Sequence, residues 1–158
     1  MNVIFGVAGD DAAGFQNIAA EYLQKEFGAA PVVSKFSNSL LGSVSDGGGV
    51  AGIANDQDLT LAFLGTIFPP LVGWEEGSSP LDNPNETAEY LLARYRSETE
   101  NFLDGVNGQY TVAIHCSKSG KLLFMSDPLG GRSFYVYRNN ILLVPDSARY
   151  LHRTTGSP

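Results

Sequence analysis

The chain has 158 residues, 43% of them hydrophobic and 17% charged, with a formal net charge of -7. That length makes about one domain, able to bury a core without metals or disulfides, and the composition excludes a disordered chain. The negative balance and the absence of a Lys/Arg cluster argue against nucleic-acid binding, which draws its affinity from cationic contacts to phosphate. The one cysteine, Cys116, cannot form an internal disulfide, which makes the cytoplasm the expected compartment.

In chain order, Met1 to Gly9 is apolar without alternation and reads as a buried first strand. It is too short and lacks the basic start of a signal peptide, and no run approaches the ~18 apolar residues of a membrane span. After Asp10 and Asp11, the spacing of Phe15, Ile18, Ala19, Tyr22, Leu23 and Phe27 predicts an amphipathic helix, with Gly28 placed to stop it and Pro31 to keep it stopped. Val32 to Phe36 reads as a strand. Gly47, Gly48 and Gly49 are not followed by the Gly-Lys-Ser/Thr of a phosphate loop and read as a flexible hairpin turn.

Gly49 to Ala54 and Leu59 to Leu64 read as strands about an Asn55-Asp56-Gln57-Asp58 turn. Pro70 to Glu86 has loop composition, with Leu71 and Trp74 its large apolar residues. A helix is expected from Asn85, its cap, with Ala88, Leu91, Leu92 and Tyr95 along one face, and a second short helix from Ser97 to Phe102. Four apolar runs then follow at Gln109 to Cys116, Lys121 to Met125, Ser133 to Tyr137 and Asn140 to Val144, which predicts an antiparallel meander in the C-terminal third. His115 and His152 are too far apart in context to suggest a metal site.

The segment from Phe102 to Tyr137 carries more than periodicity. Asn107-Gly108, the strand after it, Lys121 to Phe124, and then Asp127-Pro128-Leu129-Gly130-Gly131-Arg132-Ser133-Phe134-Tyr135 resemble the central segment of the class II glutamine amidotransferase domains of asparagine synthetases. That family reads "L-x-G-x-F-A-x-A-I-x-D" and then "L-x-L-A-R-D-x-x-G-x-x-P-L-Y-Y". Order and spacing hold over about 35 residues, with Ser126 where the family has Arg and Ser133 where it has Pro. Ile4-Phe5-Gly6 is similar to the family's "M-C-G-I-F-G" start.

The resemblance implies an α+β, four-layer αββα sandwich of two mainly antiparallel sheets, the N-terminal-nucleophile hydrolase fold. It also implies a domain over residues 1–150, with 151–158 a tail or the start of a linker to a synthetase domain. The family's working residues are missing at the matching places. Asn2 stands for the nucleophilic cysteine and offers no attacking atom. No Arg or Lys lies near Val50 to Gly52, where the carboxylate-holding arginine belongs. Pro69 follows Gly65-Thr66-Ile67-Phe68 in the place of the oxyanion-hole Asn and has neither an N–H nor a side-chain donor. Thr87 replaces the Asp that grips the amino group, while Glu89 is retained.

The expected remnant pocket is lined by Asn2, Gly52, Thr66, Phe68, Pro69, Thr87 and Glu89, with Asp127, Gly130 and Arg132 as a structural motif and no metal. The implied protein is a catalytically inactive glutaminase-like domain, β-lactam synthetase-like in lacking the cysteine. It would serve an ATP-dependent amide-forming ligase, with a C-terminal or separate synthetase domain as partner. Homodimerisation is open to such a domain. This chain would carry no cofactor; ATP and Mg would enter only with a synthetase domain. The alternative is a stand-alone interaction module with an acidic surface. A glutaminase rebuilt from Glu89, Asp46 or Thr66 is a third reading.

Overall fold

In a computed structural model of the chain, the first apolar run forms β1 (Asn2–Ala8), flanked on one side by β3 (Ser39–Ser45) and on the other by β9 (Ile141–Pro145). The structure describes residues 2–8, 21, 24–25, 28, 32–36, 39–45, 51–68, 83–129, 135–137 and 141–145. With β2 (Val32–Phe36) and β8 (Tyr135–Tyr137) at its edges, β1 centres a five-stranded sheet of order β2-β3-β1-β9-β8. The second sheet, β4-β5-β6-β7, comprises β4 (Ala51–Asp56), β5 (Leu59–Phe68), β6 (Asn107–Cys116) and β7 (Lys121–Ser126). All the strand pairings are antiparallel.

Side-chain alternation sorts the core into two layers, because successive residues of a strand face opposite sides. Leu61, Phe63 and Ile67 of β5 and Tyr110, Val112 and Ile114 of β6 pack with Ala88, Leu91 and Leu92 of the helix α1 (Pro84–Glu98). Ala62, Leu64 and Ala113 take the other face and meet Ile4 and Leu41 of the five-stranded sheet. A Cβ added to Gly6 would stand 3.1 Å from the Phe124 ring and 3.2 Å from Leu122, so the two sheets pack face to face there. The helix lies on the outer face of the four-stranded sheet.

Asn83, not Asn85, caps α1: its side-chain oxygen accepts from the backbone N–H groups of Asn85 (3.0 Å) and Glu86 (3.4 Å). Pro84 at the first helical position is the signal that sequence reading passed over, since proline there loses no hydrogen bond. Asn85 reaches out of the helix instead, its Oδ1 accepting the Ile53 N–H of edge strand β4 at 3.1 Å. The second short helix reduces to one 3-10 turn, Thr99–Asn101. Phe102 just beyond it is fully buried, edge-on to Tyr95 at 5.2 Å. Arg94 closes this corner, with Nε and Nη2 on the Glu98 carboxylate and Nη2 also on the Asp104 carbonyl.

Three further expectations need correction. The C-terminal third is not one meander: β7 pairs with β6, whereas β8 and β9 join the other sheet beside β1. Periodicity specifies a strand but not its partner, and the Asp127-Pro128 turn takes the chain off the edge of its sheet. Strand β3 is interrupted in sequence by Ser39, Gly42, Ser43 and Ser45 and was not expected. Gly42 is needed because the Phe5 ring lies across it, 2.5–3.0 Å from where a Cβ would stand. The segment 46–50 therefore connects strands of different sheets and is no hairpin, its glycines lying outside the described residues.

The turn after β4 is also shorter than expected, with only Gln57 and Asp58 between the strands and Gln57 at φ 48°. Strand β5 runs on past Leu64 to Phe68. Of the helix expected at 15–27, Glu21, Gln24 and Lys25 are described and helical. Gly28 adopts φ +67° and donates its N–H to the Gln24 carbonyl at 2.9 Å, a left-handed helix stop. The tail at 151–158 lies outside the described residues.

Candidate functional site

The residues expected to line one pocket fall on two faces of the four-stranded sheet. Gly52 is buried beneath the start of α1, where an added Cβ would overlap the Pro84 carbonyl oxygen and stand 2.7 Å from the Asn85 nitrogen. Thr87 shares that side; it is buried and turned back on its own helix, its hydroxyl donating to the Asn83 carbonyl at 3.1 Å. Glu89 is exposed on the helix. Alternation along β5 carries Thr66 and Phe68 to the opposite face, toward the five-stranded sheet, with Phe68 49% exposed at the strand end. Asn2 opens β1 opposite Ser45. Pro69, Gly130 and Arg132 lie outside the described residues.

Asp127 is 2% exposed, and its carboxylate accepts the backbone N–H of Tyr110 (Oδ2, 3.3 Å) and of Leu129 (Oδ1, 3.0 Å). Its own N–H returns a bond to the Tyr110 carbonyl at 3.0 Å. The side chain thus ties the end of β7 to β6 and shapes the turn that follows.

On the inner face of the four-stranded sheet, sequence reading named Thr66 and missed its neighbours. Thr66 pairs with Gln109, and Thr111, two residues along β6, pairs with Ser126. Three hydroxyls and a carboxamide therefore share one face of three adjacent strands. Exposure is graded across them: Gln109 is exposed, Thr66 and Ser126 half-buried, and Thr111 fully buried. Gln109, Thr111 and His115, polar residues two or four apart in an otherwise apolar strand, were the available signal, but only strand register assigns them to a face.

A second polar group marks the other end of the layer. Asn55 Oδ1 accepts from Ser34 of the facing sheet at 2.6 Å and from Thr60 at 2.7 Å. His115, fully buried, pairs with Thr60, and burial pushes its imidazole below the ordinary value. Above the ordinary range neither folded nor unfolded chain holds this proton; below it the unfolded chain takes one up that the folded chain refuses. Stability is therefore expected to fall as pH drops below about 6.5, with a limiting slope of about 1.4 kcal/mol per pH unit. Urea unfolding from pH 7.5 to 5.5 measures it, and His115→Gln should flatten the slope.

A charged cluster and the Cys116 thiol lie at the surface end of the β4–β5 hairpin. Lys118 and Arg96 both pair with Asp58 and hold its carboxyl below the usual range; Arg96 also pairs with Asp56. Cys116 is half-buried, and hydrogen bonds from the Ser119 side chain and backbone draw its thiol downward. Among the described residues no group of three or more His, Cys, Asp or Glu could hold a metal ion, and no helix is long and apolar enough to cross a membrane. Compared with known proteins, the sequence matches no family model and no curated protein sequence.

Proposed function

We propose that this chain is an amidotransferase-like domain of the N-terminal-nucleophile type that has lost glutaminase chemistry. It stands beside a synthetase domain of an ATP-dependent amide-forming ligase, on the same or a separate chain, with a structural or ligand-binding role there. The face-to-face antiparallel sheets, with β1 central in one and α1 outside the other, are what such a domain requires. A four-layer αββα arrangement also asks for cover on the outer face of the five-stranded sheet. Phe5, which shares that face with Gly42, is 0% exposed, in keeping with such a layer.

The observation that carries the loss of function is Gly52. A carboxylate-holding arginine at this place would need the space that the Pro84 and Asn85 backbone fills. Asn2 as the second residue adds the loss of the nucleophile, because an amide side chain cannot attack a carbonyl. ATP and Mg would belong to the synthetase domain, and the cytoplasm is the compartment that suits both the activity and a lone cysteine.

A stand-alone interaction module is the second reading, favoured by the net charge of -7 and by Leu129, which is 89% exposed. For the first reading, purified protein is expected to release no ammonia from glutamine above a heat-killed control. Asn2→Cys alone should not restore turnover, since Gly52 and Pro69 are unchanged. Turnover by the wild-type chain that Thr66→Ala abolishes would overturn the proposal.

A further inference from the structure

We propose that the end of the inter-sheet layer where β4 begins binds a small uncharged group that both donates and accepts hydrogen bonds, a hydroxyl or an amide. Thr111 carries the inference. It is 0% exposed, and its Oγ1 has no hydrogen-bond partner among the described residues. Folded proteins pair nearly all buried hydroxyls, so one left over at the bottom of a polar patch is a group awaiting a partner. Val112 belongs to the helix-side core and Ala113 to the inter-sheet core, so alternation aims Thr111 between the sheets.

The polar patch can be placed along the layer from contacts at the opposite end. Ser34 bonds to Asn55 across the sheets, and Gly6 lies over Leu122 and Phe124. Four residues back from Asn55, Ala51 pairs with Leu64, which in turn pairs with Thr111. Thr66, Gln109, Thr111 and Ser126 thus sit at the end where β4 starts, away from the Ser34–Asn55 bond, with exposure falling from Gln109 inward to Thr111.

Charge decides the ligand class. Among the described inner-face residues at this end none is acidic or basic, so an ion would lose its hydration without a counter-charge. Hydroxyls that can both donate and accept suit a neutral partner. The inference does not depend on the amidotransferase reading, and ammonia release from glutamine does not bear on it.

The test is a methyl and amide NMR titration of the whole chain with acetamide and ethylene glycol, against acetate and methylammonium as charged controls. Saturable shifts centred on Thr111 and Thr66 are expected with at least one neutral probe, at a dissociation constant of ~10 mM as befits so few atoms. The charged pair should bind at least about tenfold more weakly. Thr111→Val should weaken the neutral probe about tenfold, the scale of one buried hydrogen bond, while Thr111→Ser keeps it. Thr111→Val should also melt a few degrees above wild type, since it removes an unpaired buried hydroxyl, so lost binding would not be lost fold. No saturable shift up to ~200 mM, equal response to the ions, or unchanged binding by Thr111→Val overturns the proposal. So does a lower melting temperature for Thr111→Val, which would give the hydroxyl a structural partner.

Discussion

Gly52→Ala is expected to lower the thermal unfolding midpoint by about 10 °C, equivalent to roughly 3 kcal/mol in a domain of this size. The added methyl would overlap the Pro84 carbonyl oxygen and lie 2.7 Å from the Asn85 nitrogen. Both are backbone atoms at the start of a helix, so no side chain can swing aside to make room. Relief would require α1 to lift from β4. That motion would break the Asn85–Ile53 hydrogen bond and loosen Ala88, Leu91 and Leu92 from the sheet. Gly120→Ala is the control: at φ +65° with nothing within 4 Å, it meets only backbone strain of about 1 kcal/mol. Melting followed by circular dichroism compares the two. Gly52→Arg should be worse than alanine and should gain no affinity for amino acids, because the guanidinium would have no cleft to enter.

Asp127→Ala should cost about 2–4 kcal/mol in urea unfolding, since the buried Tyr110 N–H loses its charged acceptor and the Leu129 N–H of the turn loses its own. The Tyr110 and Leu129 donors would stay where β6 and the turn hold them. Asp127→Asn keeps one carbonyl oxygen and should recover about half of the loss, because only one of the two donors is left facing an NH2 group. Equal stability of the alanine variant and wild type would show that the turn is held by other contacts.

The two outcomes bear differently on the fold. Gly52 sets how closely the helix layer approaches the sheet, whereas Asp127 sets where the chain leaves it. Both positions were named from sequence, Gly52 for a missing arginine and Asp127 for a turn motif. Their physical reasons, a close backbone approach and a pair of capped N–H groups, arise only in the folded chain.

The sequence by itself determined the elements with strong local signals. The apolar runs of β1, β2, β6 and β7 read correctly because Gly, Pro, Asp and Ser bound them. The face of α1 read correctly because Ala88, Leu91 and Leu92 recur at helical spacing. Its cap was missed by two residues because Asn83 and Asn85 are chemically alike and only hydrogen-bond geometry separates them. Strand β3 was hidden because Gly42 lies under the Phe5 ring of β1, a contact that no local window contains.

Tertiary structure alone decided which strands pair and which face each residue takes. A hairpin turn between β6 and β7 is local, but the docking of β9 beside β1 joins the two ends of the chain. The same holds for the site. Gly52 and Thr66 look like members of one pocket in sequence, yet a sheet lies between them: Gly52 pairs with Phe63, and Thr66 stands three residues along β5, an odd offset that points to the opposite side. Thr66, Gln109, Thr111 and Ser126 come from three strands, and only register brings them onto one face.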